Sequence, residues 1–259
     1  INNTWQDSKF ALVVQGTSNI IQQQNVVFRF ALASNGNGEE EGFALDNFRL
    51  GERTRTILLE SFANAGNNNP AELAVNNFIQ NFNASTVGLE VVKFNYRVGF
   101  PGVDRLNQDN PADPSARALY YNIETTPRSR LDGVGEPNPN QPLFTQWGQT
   151  EFNKRSLQLA QADLVIRATT TNGKVSVEVD VKPSVKLDNK TVLYVGVLEQ
   201  NVPLSALGVA SVPSGETNFE FVVKKMLPTV LGTKTSTHPN AVNGELLPGP
   251  ILTPNTYTF

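Results

Sequence analysis

Val175, Val177, Val179 and Val181 alternate with Ser176, Glu178 and Asp180. That period of two commits the segment to an extended chain with one buried and one wet face. Asn172-Gly173 precedes the run and joins it to Asp163–Thr170. Asn-Gly is the strongest short signal for a two-residue hairpin turn, so this part of the chain is anchored on antiparallel β-structure. Val192–Leu198 and Asn218–Val223 supply two more strands, whereas Ser236–Phe259 is proline-rich and offers no closing strand set. Residues 159–259 therefore read as a β-sandwich that is incomplete at its C-terminal end.

The N-terminal part, residues 1–52, is also strand-like. Phe10–Val14 is a short apolar run. In Asn25–Leu32, Val26, Phe28 and Phe30 alternate with Val27 and Arg29, and the loop Ser34–Gly38 and the acidic triplet Glu39–Glu41 bound the run. Phe43–Leu50 closes the segment as another strand. So few strands seldom bury enough surface to stand alone, so 1–52 reads as the back part of a sandwich begun upstream. The abrupt start at Ile1 fits the expectation that the chain is a segment of something longer.

Residues 53–158 change character. Thr56–Glu60 is a strand, and Pro70 is placed as a first helical residue with Asn69 available to cap it. Ala71, Ala74, Val75, Phe78 and Phe82 share one helical face. Leu89–Tyr96 is the next strand. Asp113-Pro114 opens a second helix by the same logic, carrying Ala118, Leu119 and Tyr121. Thr126–Leu131 is extended, Asp132-Gly133 signals a turn, and Trp147–Leu159 forms a third helix. The β-α-β-α-β order, closed by a helix, is an α/β layer arrangement. The whole chain is thus expected to be multidomain α+β: partial sandwich, α/β domain, incomplete sandwich.

Composition removes several kinds of function. With 259 residues, 17% charged and 39% hydrophobic, the chain is globular rather than disordered. A net charge of −3 with no Lys/Arg cluster argues against nucleic-acid partners. No apolar run reaches the roughly 18–20 residues needed to cross a bilayer as a helix. The chain has 0 cysteines, which excludes disulfides, thiolate metal sites and thiol redox chemistry. Its 1 histidine, His238, lies in a Thr/Pro/Asn-rich loop, too few for His-based triads or two-His metal motifs.

The loop 104–113 is the densest cluster of potential ligands. Asp104, Asp109 and Asp113, with Asn107 and Asn110, could offer oxygens to Ca²⁺. The spacing lacks the EF-hand pattern and its final Glu, so the favoured reading is Asx turns at Asp109 and Asn110 and a helix cap at Asp113. Glu39–Glu41 reads as a solvated loop. Trp5 and Trp147 could form a sugar-stacking platform, although a core role is the default for aromatics on strand patterns. No pair of carboxylates is singled out for hydrolysis. No cofactor is expected.

Several short stretches carry a family resemblance. Phe43–Arg53, with its Phe-Ala-Leu-Asp-Asn strand, looks like the last strand of a jelly-roll module common in extracellular Bacteroidetes proteins. Leu58-Leu59-Glu60-Ser61-Phe62, Pro101-Gly102, Asp109–Asp113, Ala116–Tyr121, Thr126-Pro127 and Leu131-Asp132-Gly133 resemble the thioredoxin-like domain of the Omp28-related outer-membrane protein family of Bacteroidetes. Leu193–Glu199 and Val222–Pro228 are similar to the β-sandwich that follows it there. The resemblance implies boundaries at 1–52 (jelly-roll end), 53–158 (thioredoxin-like domain) and 159–259 (sandwich), and it implies that Thr126–Pro127 is cis. It also marks a departure. Where thioredoxin-like enzymes carry Cys-x-x-Cys at a helix N-terminus, this chain has Gly66-Asn67-Asn68-Asn69. The degenerate motif positions are Gly66, Asn67, Asn69 and Pro127.

The chain is therefore expected to be a non-catalytic structural, adhesive or docking segment of a larger secreted or cell-surface protein. By resemblance it would be a type IX secretion cargo or an outer-membrane-associated component. Its partners would be other modules of the same protein, outer-membrane proteins or surface glycans. The alternative is a carbohydrate- or protein-binding module, or a subunit of an outer-membrane assembly. A hydrolase using scattered carboxylates is the remaining enzymatic option.

Overall fold

The computed structural model describes residues 27–31, 45, 46, 48, 55–66, 91–135, 149–249 and 255–259. The apolar run Ile57–Ala63 forms strand β1, buried along nearly its whole length. It pairs in parallel with β2 (Val91–Arg97), from Ile57 opposite Val91 to Ala63 opposite Arg97. Two short helices follow, α1 (Arg105–Gln108) and α2 (Ala112–Tyr120). β3 (Arg128–Leu131) then returns antiparallel to β1, and β4 (Val134–Gly135) folds back on β3. The turn between them is the expected one: Asp132 and Gly133 both take positive φ, at 49° and 80°. The third expected helix is α3 (Gln149–Ser156), whose Phe152 is buried.

The C-terminal part opens with the hairpin β5 (Ala162–Thr171) and β6 (Lys174–Pro183), paired continuously from Ala162 opposite Pro183 to Thr171 opposite Lys174. Asn172 and Gly173, at φ 53° and 73°, form the two-residue turn that their residue types favour. β7 (Val192–Leu193) and β8 (Val195–Pro203) come next, then β9 (Asn218–Leu227), the short β10 (Thr233–Lys234) and β11 (Asn255–Thr258).

Among the described residues, these strands make one sheet of 6 strands in the order β4-β3-β1-β2-β9-β8, one of 3 in the order β11-β6-β5, and a β10-β7 pair. The molecule is mostly β-sheet with few, short helices. Two observations depart from the sequence reading. First, the larger sheet runs across the boundary expected at 158/159: β9 pairs in parallel with β2, Asn95 opposite Val222, and β8 pairs with β9. The cause is burial. Phe62, Tyr96, Val98, Ala118 and Ile123 share one apolar cluster with Val223 and Met226, so β9 completes the core and covers the edge of β2. Second, the tail does supply a strand. β11 pairs with β6, and Phe259 exchanges backbone hydrogen bonds with Val177. Four residues with a single buried aromatic, Tyr257, are too short to show a period.

The strands expected in residues 1–52 lie largely outside the described residues. Those described, 27–31, 45, 46 and 48, belong to no strand. Phe28 and Phe30 meet Phe48 edge-on, at centroid separations of 5.1 and 5.5 Å. The helix expected over 70–82 and both tryptophans also lie outside them.

Three of the four valines that set the hairpin's period fill a separate core, while Val175, close to the turn, is 46% exposed. Val177, Val179 and Val181 pack with Leu187, Leu193, Val195, Leu246 and Tyr257. A third cluster, Ala65, Leu106, Val202, Phe219 and Val222, ties α1 to the β8–β9 end of the large sheet.

Candidate functional site

Of the degenerate motif, Gly66 and Pro127 fall among the described residues, and Asn67 and Asn69 lie outside them. Gly66 lies in the turn after β1, where its N–H donates to Asn64 Oδ1 at 2.7 Å. Asn64 Nδ2 in turn donates to the carbonyls of Val98 and Gly102, each at 2.7 Å, pinning the loops that leave β1 and β2 to one another. The Thr126–Pro127 bond is cis, as are Phe100–Pro101 and Leu227–Pro228. Thr126 Oγ1 donates to the Phe100 carbonyl at 3.5 Å, so two of these prolyl turns lie side by side.

The three aspartates of 104–113 are drawn to separate partners instead of converging. Asp104 is buried and caps α1, accepting from Leu106 N at 2.9 Å, and it also accepts from Ala65 N at 2.8 Å and Arg97 Nε at 3.0 Å. Asp109 is exposed and pairs with Lys224 at 2.9 Å. Asp113 does not cap the helix as expected: α2 begins at Ala112, with Pro111 at its cap. The Asp113 carboxylate accepts instead from Met226 N at 2.9 Å and Asn110 Nδ2 at 2.8 Å, with Lys225 at 3.3 Å. The buried N–H of Met226 needs an acceptor, and this carboxylate supplies it. Burial works against its charge, but the bonds from Met226, Asn110 and Lys225 outweigh that and hold the Asp113 carboxyl below the usual range. Among the described residues no three His, Cys, Asp or Glu side chains gather as a metal site.

Two buried ionic clusters were not singled out by sequence. In the first, Glu60 of β1 accepts from Arg117 Nε of α2 at 2.7 Å, from the Tyr121 hydroxyl, and from the Tyr96 hydroxyl of β2 at 3.2 Å. The Arg117 guanidinium sits over the rings of Tyr194, Tyr121 and Tyr120, at 4.4, 4.8 and 4.9 Å. Burial opposes the charge on Arg117, yet the bond and charge of Glu60 raise its pKa, so it stays protonated. Burial and then the Glu60 carboxylate push both Tyr96 and Tyr121 up. These phenols donate hydrogen bonds and hold their protons at neutral pH. The cluster therefore braces β1, β2, α2 and Tyr194, which links β7 to β8, and Arg117, Tyr96 and Tyr121 do not titrate near pH 7.

In the second cluster Arg97, 1% exposed, bonds Asp104 and both carboxylate oxygens of Glu216, the latter at 3.2 Å each. Its guanidinium lies 5.0 Å from the Phe219 ring, and Ser214 Oγ donates to Glu216 at 2.8 Å. This two-pronged pairing suits a planar guanidinium and carries the link from β2 across to the segment before β9. Five residues of the two clusters, Glu60, Arg117, Tyr120, Tyr121 and Tyr194, lie within stretches on which the family resemblance rests. A Glu inside an otherwise apolar strand, and an Arg beside a Tyr-Tyr pair on an amphipathic helix, were the available signals. The loop residue His238 is docked: Asn240 N donates to Nδ1 at 3.1 Å, and Nε2 lies 3.3 Å from the Thr256 carbonyl.

A protein of several β-sheets with short helices on its larger sheet is the class this arrangement defines. Its fold is similar to that of HBP35 of Porphyromonas gingivalis, with a TM-score of 0.54 at 13% sequence identity. The likeness covers 81% of this chain and 64% of the HBP35 chain, so this chain spans less than two thirds of that protein. No protein-family model matches the chain, and no curated protein sequence matches it.

Proposed function

We propose that the chain is a non-catalytic structural or docking segment of a larger secreted or cell-surface Bacteroidetes protein, built on a thioredoxin-like scaffold whose thiol chemistry has been lost. One observation carries the reading. The strand order β2-β1-β3-β4, with β1 and β2 parallel and β3 and β4 antiparallel, is the order expected of that scaffold, in a chain with 0 cysteines. The side chains that bond the backbone at Ala65 and Gly66, Asp104 and Asn64, are otherwise spent on backbone N–H and C=O groups and on Arg97. The structural likeness to a protein of a Bacteroidetes organism supports the assignment to that group, and with it the surface location that the family resemblance implies. The test is twofold. The purified chain is added to insulin and dithiothreitol, where turbidity should rise no faster than with dithiothreitol alone; faster reduction overturns the non-catalytic reading. Protease shaving of intact cells of the source organism, read with an antibody to this chain, should remove the signal; full protection overturns the surface location.

A further inference from the structure

Among the described residues β5 is the outer strand of its sheet, hydrogen-bonded on one side only, to β6. Nine of its ten residues are exposed. Of the usual edge protections β5 has only two charged side chains, Asp163 and Arg167. The ten residues contain neither proline nor glycine, and the pairing with β6 runs without a bulge. Directly opposite residues of an antiparallel pair share a face, so Leu164 and Ile166 lie on the face of their partners Val181 and Val179, which are core residues. Leu164 and Ile166 are nonetheless 53% and 64% exposed, because the layer that covers β6 stops short of β5. The apolar face continues past the point where the core ends.

The pattern along β5 says what would fit there. In a two-residue hairpin the residues flanking the turn form a hydrogen-bonded pair, so Thr171, Thr169, Arg167, Val165 and Asp163 direct their N–H and C=O groups at β6. Ala162, Leu164, Ile166 and Ala168 direct theirs outward. A second antiparallel strand must bond to that even-numbered set. If the partner is β5 of another copy, related by a two-fold axis at Val165, Leu164 faces Ile166 of the other copy and Ala162 faces Ala168. Asp163 then faces Arg167, twice by symmetry, and extends the pairing that Arg167 already makes with Glu178 at 3.3 Å and Asp180 at 2.8 Å on its β6 side. Shifting the register by one allowed step to either side sets Asp163 opposite Val165 or Thr169 and leaves both charges unmatched across the dyad. Only the register centred on Val165 satisfies the backbone, pairs the apolar residues and matches the charges together.

We infer that two copies of this chain associate through antiparallel β5–β5 pairing centred on Val165, joining the two small sheets into one. The dyad gives an isologous interface of about eight backbone hydrogen bonds, with the apolar stripe made continuous across it. The inference rests on the hairpin's register and its sequence, and it is independent of whether the chain is catalytic.

The absence of native cysteine makes the test direct. At the dyad the two Val165 residues form a non-hydrogen-bonded pair with Cα atoms about 4.5 Å apart, within disulfide range, whereas the two Ile166 residues are at least about 7–8 Å apart. V165C should therefore oxidise to a covalent dimer, and I166C should remain largely monomeric under the same conditions. Wild-type chain in sedimentation equilibrium should approach twice its monomer mass as concentration is raised through roughly 1–100 µM. D163R, which sets Arg against Arg167 twice, should weaken association about tenfold or more while the circular dichroism spectrum is unchanged. I166P removes an outward N–H that the monomer does not use and should abolish the dimer without unfolding the hairpin. A chain that stays monomeric at about 100 µM, V165C that crosslinks no better than I166C, or folded D163R and I166P that associate as well as wild type would each overturn the proposal.

Discussion

Asp104→Ala is the substitution that most directly separates the bracing role of the 104–113 loop from a ligand-binding one. Removing this carboxylate takes away the N-cap of α1, usually about 1 kcal/mol. It strips the buried Ala65 N–H of its acceptor, about 1–3 kcal/mol. It also deprives Arg97, 1% exposed, of one of the carboxylates that neutralise it, while the Glu216 pairing stays. Half-breaking a buried charge network costs about 3–5 kcal/mol, and because the three losses share one network they do not simply add. A total of about 3–5 kcal/mol is expected, a large part of the roughly 5–15 kcal/mol that a folded domain has. Asp109→Ala is the control. Its side chain is 65% exposed and pairs with Lys224, so its loss should cost less than about 1 kcal/mol. Urea unfolding followed by tryptophan fluorescence and circular dichroism measures both, and the Tm of Asp104→Ala should fall by roughly 6–20 °C. Adding millimolar calcium chloride should shift neither the wild-type midpoint nor that of Asp109→Ala. Equal costs for the two substitutions, or a calcium-dependent rise in midpoint lost in both, would refute the bracing argument.

Three further outcomes are expected. Gly196→Ala would place a Cβ 2.5 Å from Phe94 Cε2, and the crowding should cost about 1–3 kcal/mol in the same urea assay. Burial raises the Tyr257 phenol from 10.0 to about 12, so the folded state holds that proton more tightly than the unfolded one. The stability this contributes is complete below pH 10 and is lost as pH rises towards 12; ultraviolet titration of phenolate should show one tyrosine in the wild-type chain titrating near 12 that is missing from Tyr257→Phe. Arg117→Met should destabilise by about 3–5 kcal/mol because Glu60 keeps a buried charge without its cation, whereas Glu60→Leu combined with Arg117→Met should cost less than the sum of the two single changes in a double-mutant cycle.

The contrast between the two sheets explains what could be read in advance. The hairpin was legible because it is half-exposed: one wet face forces Ser, Glu and Asp between the valines, and the turn is fixed by two residues that tolerate positive φ. In the large sheet β1 and β2 are buried along most of their length, and there alternation misleads. In Val91–Arg97 the residues Lys93, Asn95 and Arg97 occupy every second position, the pattern of a solvated face, yet they are 1%, 0% and 1% exposed. In this central strand the polar face is the buried one and the apolar Val92 is 38% exposed, so its polar residues mark buried networks instead of a surface. The same holds for Glu60 in the apolar run of β1.

The pairing of β2 with β9 was hidden for a different reason. Asn95 and Val222 are far apart in sequence, and a parallel pairing leaves no turn signature between its strands. Local pattern can say that Asn218–Val223 is a strand; only the completed core says which edge it covers. The individual aspartates show the intermediate case. Asp104 sits just before a short helix and caps it, a local event, while Asp113 had the same local signature and was claimed by Met226 of β9, a partner that exists only after the sheet has assembled. The side chains that brace this scaffold, Glu60, Arg97, Asp104, Asp113, Arg117 and Glu216, are thus mostly ones whose partners come from the other side of the expected 158/159 boundary or from another element. A scaffold held by such long-range polar bonds loses several at once when one member is removed, so the damage from Asp104→Ala should extend to amide protection in β9, which begins just after Glu216, the other partner of Arg97.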